Sequence, residues 1–248
     1  MVATLALERL GRTATSAAEL RAATAEEELR PGARPIRLTP WAIEPAAQPH
    51  RGYDASKRAL DVAGGSILLM VAAPIVGAAA LAVAATTRSW PFYVQRRVGQ
   101  GGREFAMLKV RTMRPGADRE VPLTLNETGG PTFKATADPR VTPVGKLLRR
   151  TSIDELPQLV NVVAGQLTLV GPRPGLPDEA RQYTHAEARR LSVKPGLTGI
   201  WQVSGRSDVP FRRWMAMDRA YIRRRSLLFD LGLLARTPWT VLSMRGAR

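Results

Sequence analysis

The stretch Val62–Thr87, VAGGSILLMVAAPIVGAAALAVAATT, runs 26 residues without a charged side chain. Lys57, Arg58 and Asp61 stand before it and Arg88 after it, and the 248-residue chain holds no comparable run elsewhere. As a continuous helix at about 1.5 Å per residue it covers about 39 Å, more than the roughly 30 Å hydrocarbon core of a bilayer. Its alanine and glycine content keeps insertion only modestly favourable, since each Leu, Ile or Val contributes about 0.3 to 0.6 kcal/mol. Pro74 sits at the midpoint, where it removes a backbone N–H and crowds the carbonyl of Met70, so a kink or break is expected there. Three arrangements fit: a kinked spanning helix, a helix-break-helix that dips into one leaflet and returns, and a core helix apolar on all sides. Basic residues at both ends favour the second under the positive-inside rule. The run starts some 60 residues in and lacks the short apolar region and cleavage pattern of a signal peptide.

Around this segment the chain changes character. Residues 1–50 mix Ala, Arg, Glu and Pro and read as a polar, flexible extension, with a short amphipathic helix over Ser16–Leu29 and an extended proline-spaced linker after it. Beyond the apolar run, PFYVQRR and REFAMLKVRTM are two β-rich stretches joined by Val98-Gly99-Gln100-Gly101-Gly102, which predicts a hairpin. The glycines there have neither Walker spacing nor a following Lys-Ser/Thr pair, so they read as turn residues rather than a phosphate loop. Residues 114–143 are loop-rich, with Gly129, Gly130 and Pro131 as breakers. Helical patterns follow at Lys146–Arg150, Leu156–Val163, Asp178–Leu191 and Arg212–Leu234.

Composition narrows the chemistry. A net charge of +16 points to an anionic partner, although the arginine-for-lysine bias also fits a simple base-composition effect. There is no cysteine, which removes disulfides, thiolate nucleophiles and cysteine-ligated zinc. His50 and His185, the only histidines, both sit in polar surroundings and read as solvated. A reactive centre must therefore draw on carboxylates, amines and guanidinium groups.

The sequence TSIDELPQL, Thr151–Leu159, places Asp154 and Glu155 side by side. Ser152-x-x-Glu155 matches a helix capping box. Pro157, however, would then occupy the fifth helical position, where the missing N–H costs about 3 kcal/mol. An N-cap at Asp154 instead puts Pro157 in the tolerant first turn. From there Asp154, Gln158 and Asn161 share one helical face, with Leu156, Leu159, Val160 and Val163 supplying the apolar side. Neighbours on a helix point about 100° apart, so the two carboxylates are poorly placed to share a proton and better placed to divide labour, one attacking or binding metal and the other helping to hold Mg²⁺. Arg149 and Arg150 precede the pair and Arg173 follows in LVGPRPGLP, where guanidinium forks suit phosphate. A carboxylate nucleophile, a divalent cation and phosphate-binding arginines are the parts of phosphoryl transfer through an acyl phosphate.

The run DPRVTPVGKLLRRTSIDELPQLVNVVAGQLTLVGPRPGLP, followed by VKPGLTGIWQVSGRSD, resembles the bacterial sugar transferase family, monotopic polyprenyl-phosphate phosphoglycosyl transferases, over about Tyr53–Leu242. The resemblance implies an α+β, predominantly helical fold: a re-entrant membrane helix-break-helix within 60–87, a small β-hairpin, and amphipathic helices lying at the membrane surface. Residues 51–248 would form the transferase domain. It implies transfer of a sugar 1-phosphate from a UDP-sugar to undecaprenyl phosphate with release of UMP, Mg²⁺ as cofactor and a ping-pong route that initiates exopolysaccharide or related glycan synthesis. By motif position Asp154 would be the nucleophile, with Glu155 assisting and both carboxylates at the metal. Lys109, Arg149 and Arg173 would hold substrate phosphates, Arg111 and Arg206 are further substrate-binding candidates, and Pro74 matches the break in the re-entrant helix.

The chain departs from the family pattern at Ala73, where Ser is usual, at Val110 for Phe, at Gln166 for Asp, and in a shortened TTRSWPF loop. The implied location is the bacterial inner membrane, with the catalytic domain on the cytoplasmic face. The implied partners are the donor, the acceptor and membrane lipids, and a homodimer is compatible with them. The competing reading is a non-catalytic, basic, membrane-associated scaffold binding anionic lipid. Nucleic acid is not an expected partner, because aromatics make up only 6% of residues and no recognition motif is present.

Overall fold

The computed structural model describes residues 52–117, 138–206, 209–244 and 246. The N-terminal extension with its expected helix at Ser16–Leu29, His50 and the Gly129-Gly130-Pro131 loop fall outside the described residues. What is described is mostly helical with two small sheets.

The apolar run forms a single helix, α1, Tyr53–Thr87, with Pro74 inside it. The expected division into two helices at Pro74 is therefore corrected. The proline deletes one N–H, while the turns on either side keep their own partners and helical geometry continues past it. The helix ends at Arg88, whose N–H makes a last helical bond to the carbonyl of Ala84 at 2.9 Å and whose left-handed conformation turns the chain out of the helix. One face of α1 is buried through Asp61, Gly65, Ala72, Ala79, Ala80 and Val83, while Ile67, Leu68, Met70, Val71, Ile75 and Leu81 are exposed. Met70 is 76% exposed, which excludes the core-helix reading. Glycine permits close packing on the buried face: a Cβ at Gly65 would meet Val162 Cγ1 at 3.2 Å.

Strands β1 (Phe92–Val98) and β2 (Glu104–Val110) pair antiparallel from Phe92↔Val110 to Val98↔Glu104, the expected hairpin. The turn needs glycine, since Gly101 and Gly102 have φ of 69° and 77°. Helix α2 (Pro143–Thr151) starts at Thr142, whose hydroxyl accepts from Gly145 N at 2.9 Å, and ends at Ser152 with φ of 58°. After a 3₁₀ turn over Ile153–Glu155 comes α3 (Gln158–Val163). Strands β3 (Thr168–Val170) and β4 (Gly196–Thr198) form a second, parallel pair that periodicity did not reveal.

The helix expected over Asp178–Leu191 is instead α4 (Pro177–Ala180), α5 (His185–Ala188) and a 3₁₀ turn. Thr184 and Glu187 form a capping box that restarts the chain there, with Thr184 N donating to Glu187 Oε2 at 2.8 Å. After α6 (Ile200–Val203), the pattern over Arg212–Leu234 divides into α7 (Phe211–Arg224) and α8 (Leu227–Leu242). Ser226 caps α8 by accepting from Phe229 N at 3.2 Å. Leu228, Leu231, Trp239 and Leu242 make an exposed apolar stripe along α8.

The charged residues that begin α1 bind the rest of the protein. Lys57 Nζ pairs with the fully buried Asp230 at 2.6 Å and donates to Val170 O at 2.8 Å. Arg58 donates to the carbonyls of Val162 and Val163 at the end of α3, at 2.9 and 2.7 Å. Asp61 accepts from Thr168 Oγ1 and Leu169 N, at 2.9 and 2.8 Å. Tyr53 and Tyr221 complete the Asp230 network, donating at 2.8 and 2.9 Å. These bonds fix α3 and β3, the two segments that flank the acidic pair and Arg173.

Candidate active site

Asp154 and Glu155 lie in the 3₁₀ turn between α2 and α3, so neither expected cap forms. Ser152 makes no side-chain cap bond, and α3 opens at Pro157 instead. A proline there loses nothing, because the first N–H groups of a helix have no partner within it. The Asp154, Gln158, Asn161 stripe exists but faces inward, all three being buried, while Val160 is exposed. Asn161 explains the inversion: its amide donates to Ala106 O at 2.7 Å and accepts from Leu108 N at 3.1 Å, tying α3 to β2. Gln158 Nε2, buried one turn beyond Asp154, has no acceptor among the described residues.

The two carboxylates have unlike surroundings. Glu155 receives both terminal nitrogens of Arg173, at 2.7 and 3.3 Å, and lies 3.7 Å from Lys109 Nζ. Burial raises its pKa, but Arg173 and Lys109 outweigh that and hold it well below the usual carboxylate range. Asp154 accepts no hydrogen bond among the described residues. Burial, reinforced by the Glu155 charge, pushes it up to about 6. Lys109, on β2, is brought down to about 8 by burial, with Glu155 opposing.

Arg173 is held from several sides. Its guanidinium lies 5.6 Å from the centroid of the Trp201 ring, which stacks on Trp214. Its carbonyl accepts from Arg190 Nη2, and Arg190 is paired with Asp218 at 2.8 Å and bonded to Tyr183 Oη at 2.7 Å. The Gly171–Gly175 loop that presents Arg173 is locked to β4: Gly171 N donates to Thr198 O and Gly196 N to Pro172 O, both at 2.8 Å. A Cβ at Gly196 would lie 2.0 Å from Gly171 N, so glycine is required for this approach.

Of the other expected residues, Arg149 donates to Thr112 Oγ1 at 2.9 Å and attracts Asp154 at longer range. Arg206, with φ of 51°, is within electrostatic reach of Glu155 and Asp154, and burial lowers its pKa. Arg111 is not brought to the carboxylates. It donates to Trp90 O at 2.9 Å and lies over Tyr93 at the open end of the hairpin. His185 is exposed, as expected. Sequence reasoning missed Arg97, Arg190 and Trp201. Arg97 ends the quoted PFYVQRR stretch and Trp201 lies in GIWQVSGR, but no spacing there reveals a contact with Arg173 or its loop.

A cation-rich, partly buried pocket around one free and one clamped carboxylate is suited to an anionic substrate and to attack by a carboxylate. The family model described as "Bacterial sugar transferase" matches residues 52–244, across all of these elements. The chain belongs to the bacterial sugar transferase family. It is therefore an enzyme, and the non-catalytic scaffold reading falls away. Exopolysaccharide production protein ExoY of Rhizobium meliloti is 38% identical over 198 residues, covering 77% of this chain and 88% of the relative. The UDP-glucose:undecaprenyl-phosphate glucose-1-phosphate transferase of Caulobacter vibrioides is 37% identical over 208 residues, covering 80% and 74%. The undecaprenyl-phosphate galactose phosphotransferase of Salmonella typhimurium is 37% identical over 199 residues, covering 77% of this chain but 41% of that larger protein.

Proposed function

We propose that this sugar transferase is a phosphoglycosyl transferase that moves a sugar 1-phosphate from a UDP-sugar to undecaprenyl phosphate, releasing UMP and opening exopolysaccharide synthesis. The observation that carries the reading is the contrast within the acidic pair: Asp154 is buried without a hydrogen-bond partner among the described residues, and Glu155 is clamped by Arg173. The names of the Caulobacter and Salmonella relatives support the acceptor, and the first of them also supports the donor class.

In the first half-reaction a carboxylate oxygen of Asp154 attacks the donor phosphorus that bears the sugar. The bond from that phosphorus to the bridging oxygen breaks, and UMP leaves with the electron pair. In the second, a phosphate oxygen of undecaprenyl phosphate attacks the same phosphorus and Asp154 is released as carboxylate. Lys109, Arg149 and Arg173 bind phosphate oxygens, and Arg206 approaches from the α6 side. Arg111 has no part in this scheme.

Two adjacent carboxylates fit Mg²⁺, which commonly takes one or two carboxylates and completes its shell with water and substrate phosphate. Asp154 and Glu155 would hold it, although the Arg173 clamp leaves Asp154 the freer ligand. Bound there, the ion supplies positive charge to the phosphoryl oxygens.

For the membrane, we favour the re-entrant arrangement at the cytoplasmic face of the inner membrane. Both ends of α1 and its middle pack on the same folded body, Lys57, Arg58 and Asp61 at one end, Ala72 in the main core, and Ala79 and Val83, against Val110 and Leu148, at the other. Even the stretch from Gly65 to Ala79, with Ala72 packed at its middle, covers only about 21 Å of helix, short of the roughly 30 Å a span requires. The exposed faces of α1 and α8 suit burial in lipid.

The test is purified protein in detergent with Mg²⁺, undecaprenyl phosphate and a panel of UDP-sugars, with UMP as the readout. Donor alone should leave a phosphosugar on the protein, seen as an intact-mass increase that Asp154→Asn lacks. Absence of UMP with every donor, or release by Asp154→Asn at the wild-type rate, overturns the reading.

A further inference from the structure

Arg97 and Arg190 are two guanidinium groups flanking the Arg173 loop, and among the described residues only Arg190 has a counter-ion. Arg190 is buried with Asp218 at 2.8 Å and serves the fold. Arg97 has no carboxylate within the 4.0 Å ion-pair distance among the described residues. Its Nε and Nη2 donate to Gln95 Oε1 at 3.1 and 2.7 Å, and its Nη1 to Pro174 O at 3.0 Å. Both acceptors are neutral. A guanidinium carries five N–H groups, so two remain without an acceptor among the described residues.

The hairpin register aims this group at the site. Arg97 stands opposite Phe105, Gln95 opposite Met107 and Tyr93 opposite Lys109, which puts Gln95, Arg97 and Lys109 on one face of the sheet. Arg97 bonds the residue immediately after Arg173 and feels Arg173 as a repelling neighbour, with Glu179 and Glu155 attracting from farther away. A partly buried cation left without a counter-ion beside a second cation is costly, and the cost is recovered when an anion binds. Gln95 orients the group without neutralising it.

We propose that Arg97 is a further ligand of the donor, its two unused N–H groups binding the diphosphate so that Arg97, Lys109 and Arg173 together offset its charge. This rests on the proposed function, because it takes the site's ligand to be a nucleoside diphosphate sugar.

The test measures UDP binding by calorimetry to the purified full-length protein in detergent with Mg²⁺, with uridine as a phosphate-free competitor. Arg97→Gln should weaken UDP at least tenfold and leave uridine within twofold. Gln95→Glu supplies a carboxylate to the same N–H groups while keeping the Pro174 bond, and should weaken UDP by a comparable factor. Arg97→Lys should fall between wild type and Arg97→Gln. UDP affinity within twofold of wild type in both Arg97→Gln and Gln95→Glu overturns the proposal, as does a parallel loss of UDP and uridine, which would mark Arg97 as a loop support. If Arg97→Gln does not fold, Gln95→Glu decides alone. A wild type that neither binds UDP nor releases UMP overturns the proposed function and this inference together. A wild type that does both, with flat variants, overturns only this inference.

Discussion

Arg173 grips Glu155 through both terminal nitrogens, at 2.7 and 3.3 Å, while Asp154, one residue earlier, accepts nothing among the described residues. Two carboxylates adjacent in sequence are thereby made chemically unlike. The clamped one is a stable anion that orders cations around the pocket. The free one is costly to keep ionised and has oxygens available for bonding, as a nucleophile requires.

This contrast predicts opposite stability effects for two isosteric substitutions. The pKa of Asp154 is raised to about 6. Its contribution to stability is therefore present below the ordinary aspartate pKa and lost as pH rises through about 6, so at pH 7.5 the charged group destabilises the fold. Asp154→Asn should abolish UMP release yet raise Tm by about 2–6 °C, on a scale of about 2–4 °C per kcal/mol for a chain of this size. The pKa of Glu155 is lowered, so its contribution is present above the ordinary glutamate pKa and lost on acidification. Glu155→Gln should cost about 1–3 kcal/mol of stability at pH 7.5 and so lower Tm, the cost being less than for a fully buried pair because both side chains keep roughly a fifth of their surface exposed. Thermal unfolding of both variants at pH 7.5 checks the signs.

The same groups set a pH window for turnover. In the proposed reaction Asp154 must be ionised to attack, which places the acid limb of kcat/KM for the donor near pH 6. In the same scheme Lys109 must be charged to hold phosphate, and burial brings it down to about 8, which places the alkaline limb there. Lys109→Arg should keep activity at pH 9 that wild type loses, because a guanidinium remains charged. A flat profile between pH 5.5 and 9 would contradict both assignments.

The Lys57–Asp230 pair links α1 to the loop that carries Arg173, since Lys57 also donates to Val170 O at 2.8 Å, three residues before Arg173. Lys57→Met leaves Asp230 fully buried with only its two tyrosine partners, at a cost of about 3–5 kcal/mol. It should also reduce kcat/KM for the donor, by displacing Arg173. Lys57→Arg should recover part of both losses.

What the sequence revealed and what it concealed divide along physical lines. The hairpin and the apolar helix were legible because each rests on local pattern, an uninterrupted apolar run in α1 and β-rich stretches around obligatory glycines at 101 and 102. The break between α4 and α5 was concealed because a four-residue capping box at Thr184 outweighed a helical pattern. The parallel pair of β3 and β4 joins residues 28 apart by backbone bonds alone, which leave no periodic trace. At the site, Asp154 and Arg173 could be nominated from motif and charge, but the Glu155 clamp, the support from Arg190 and the absence of a counter-ion at Arg97 depend on tertiary contacts. The flanking charges of α1 were readable as charges, but their partners were not: Lys57 is neutralised by Asp230, and Arg58 is spent on the carbonyls of Val162 and Val163.

Because those two residues no longer count as free flanking charge, the proposed re-entrant arrangement rests on packing and can be tested without reference to charge. The chain has no cysteine, so single cysteines report cleanly. One is placed at Ala3, before α1, and another at Ser243, after α8, in cells or inverted vesicles treated with a membrane-impermeant maleimide. If α1 enters and leaves by one leaflet, both positions react only from the cytoplasmic side. A spanning α1 would instead require Ala3 and Ser243 to react from opposite sides. It would also have to strip Arg58 and Asp61, or Ala79 and Val83, from their contacts, because the helix between Gly65 and Ala79 covers only about 21 Å. Pro74→Leu tests the proline at the same time. It restores the missing N–H in a helix that already continues past the proline, so with both ends of α1 held by packing the labelling of Ala3 and Ser243 should stay cytoplasmic; a move of Ala3 to the opposite face would show that the proline, not the packing, sets the arrangement.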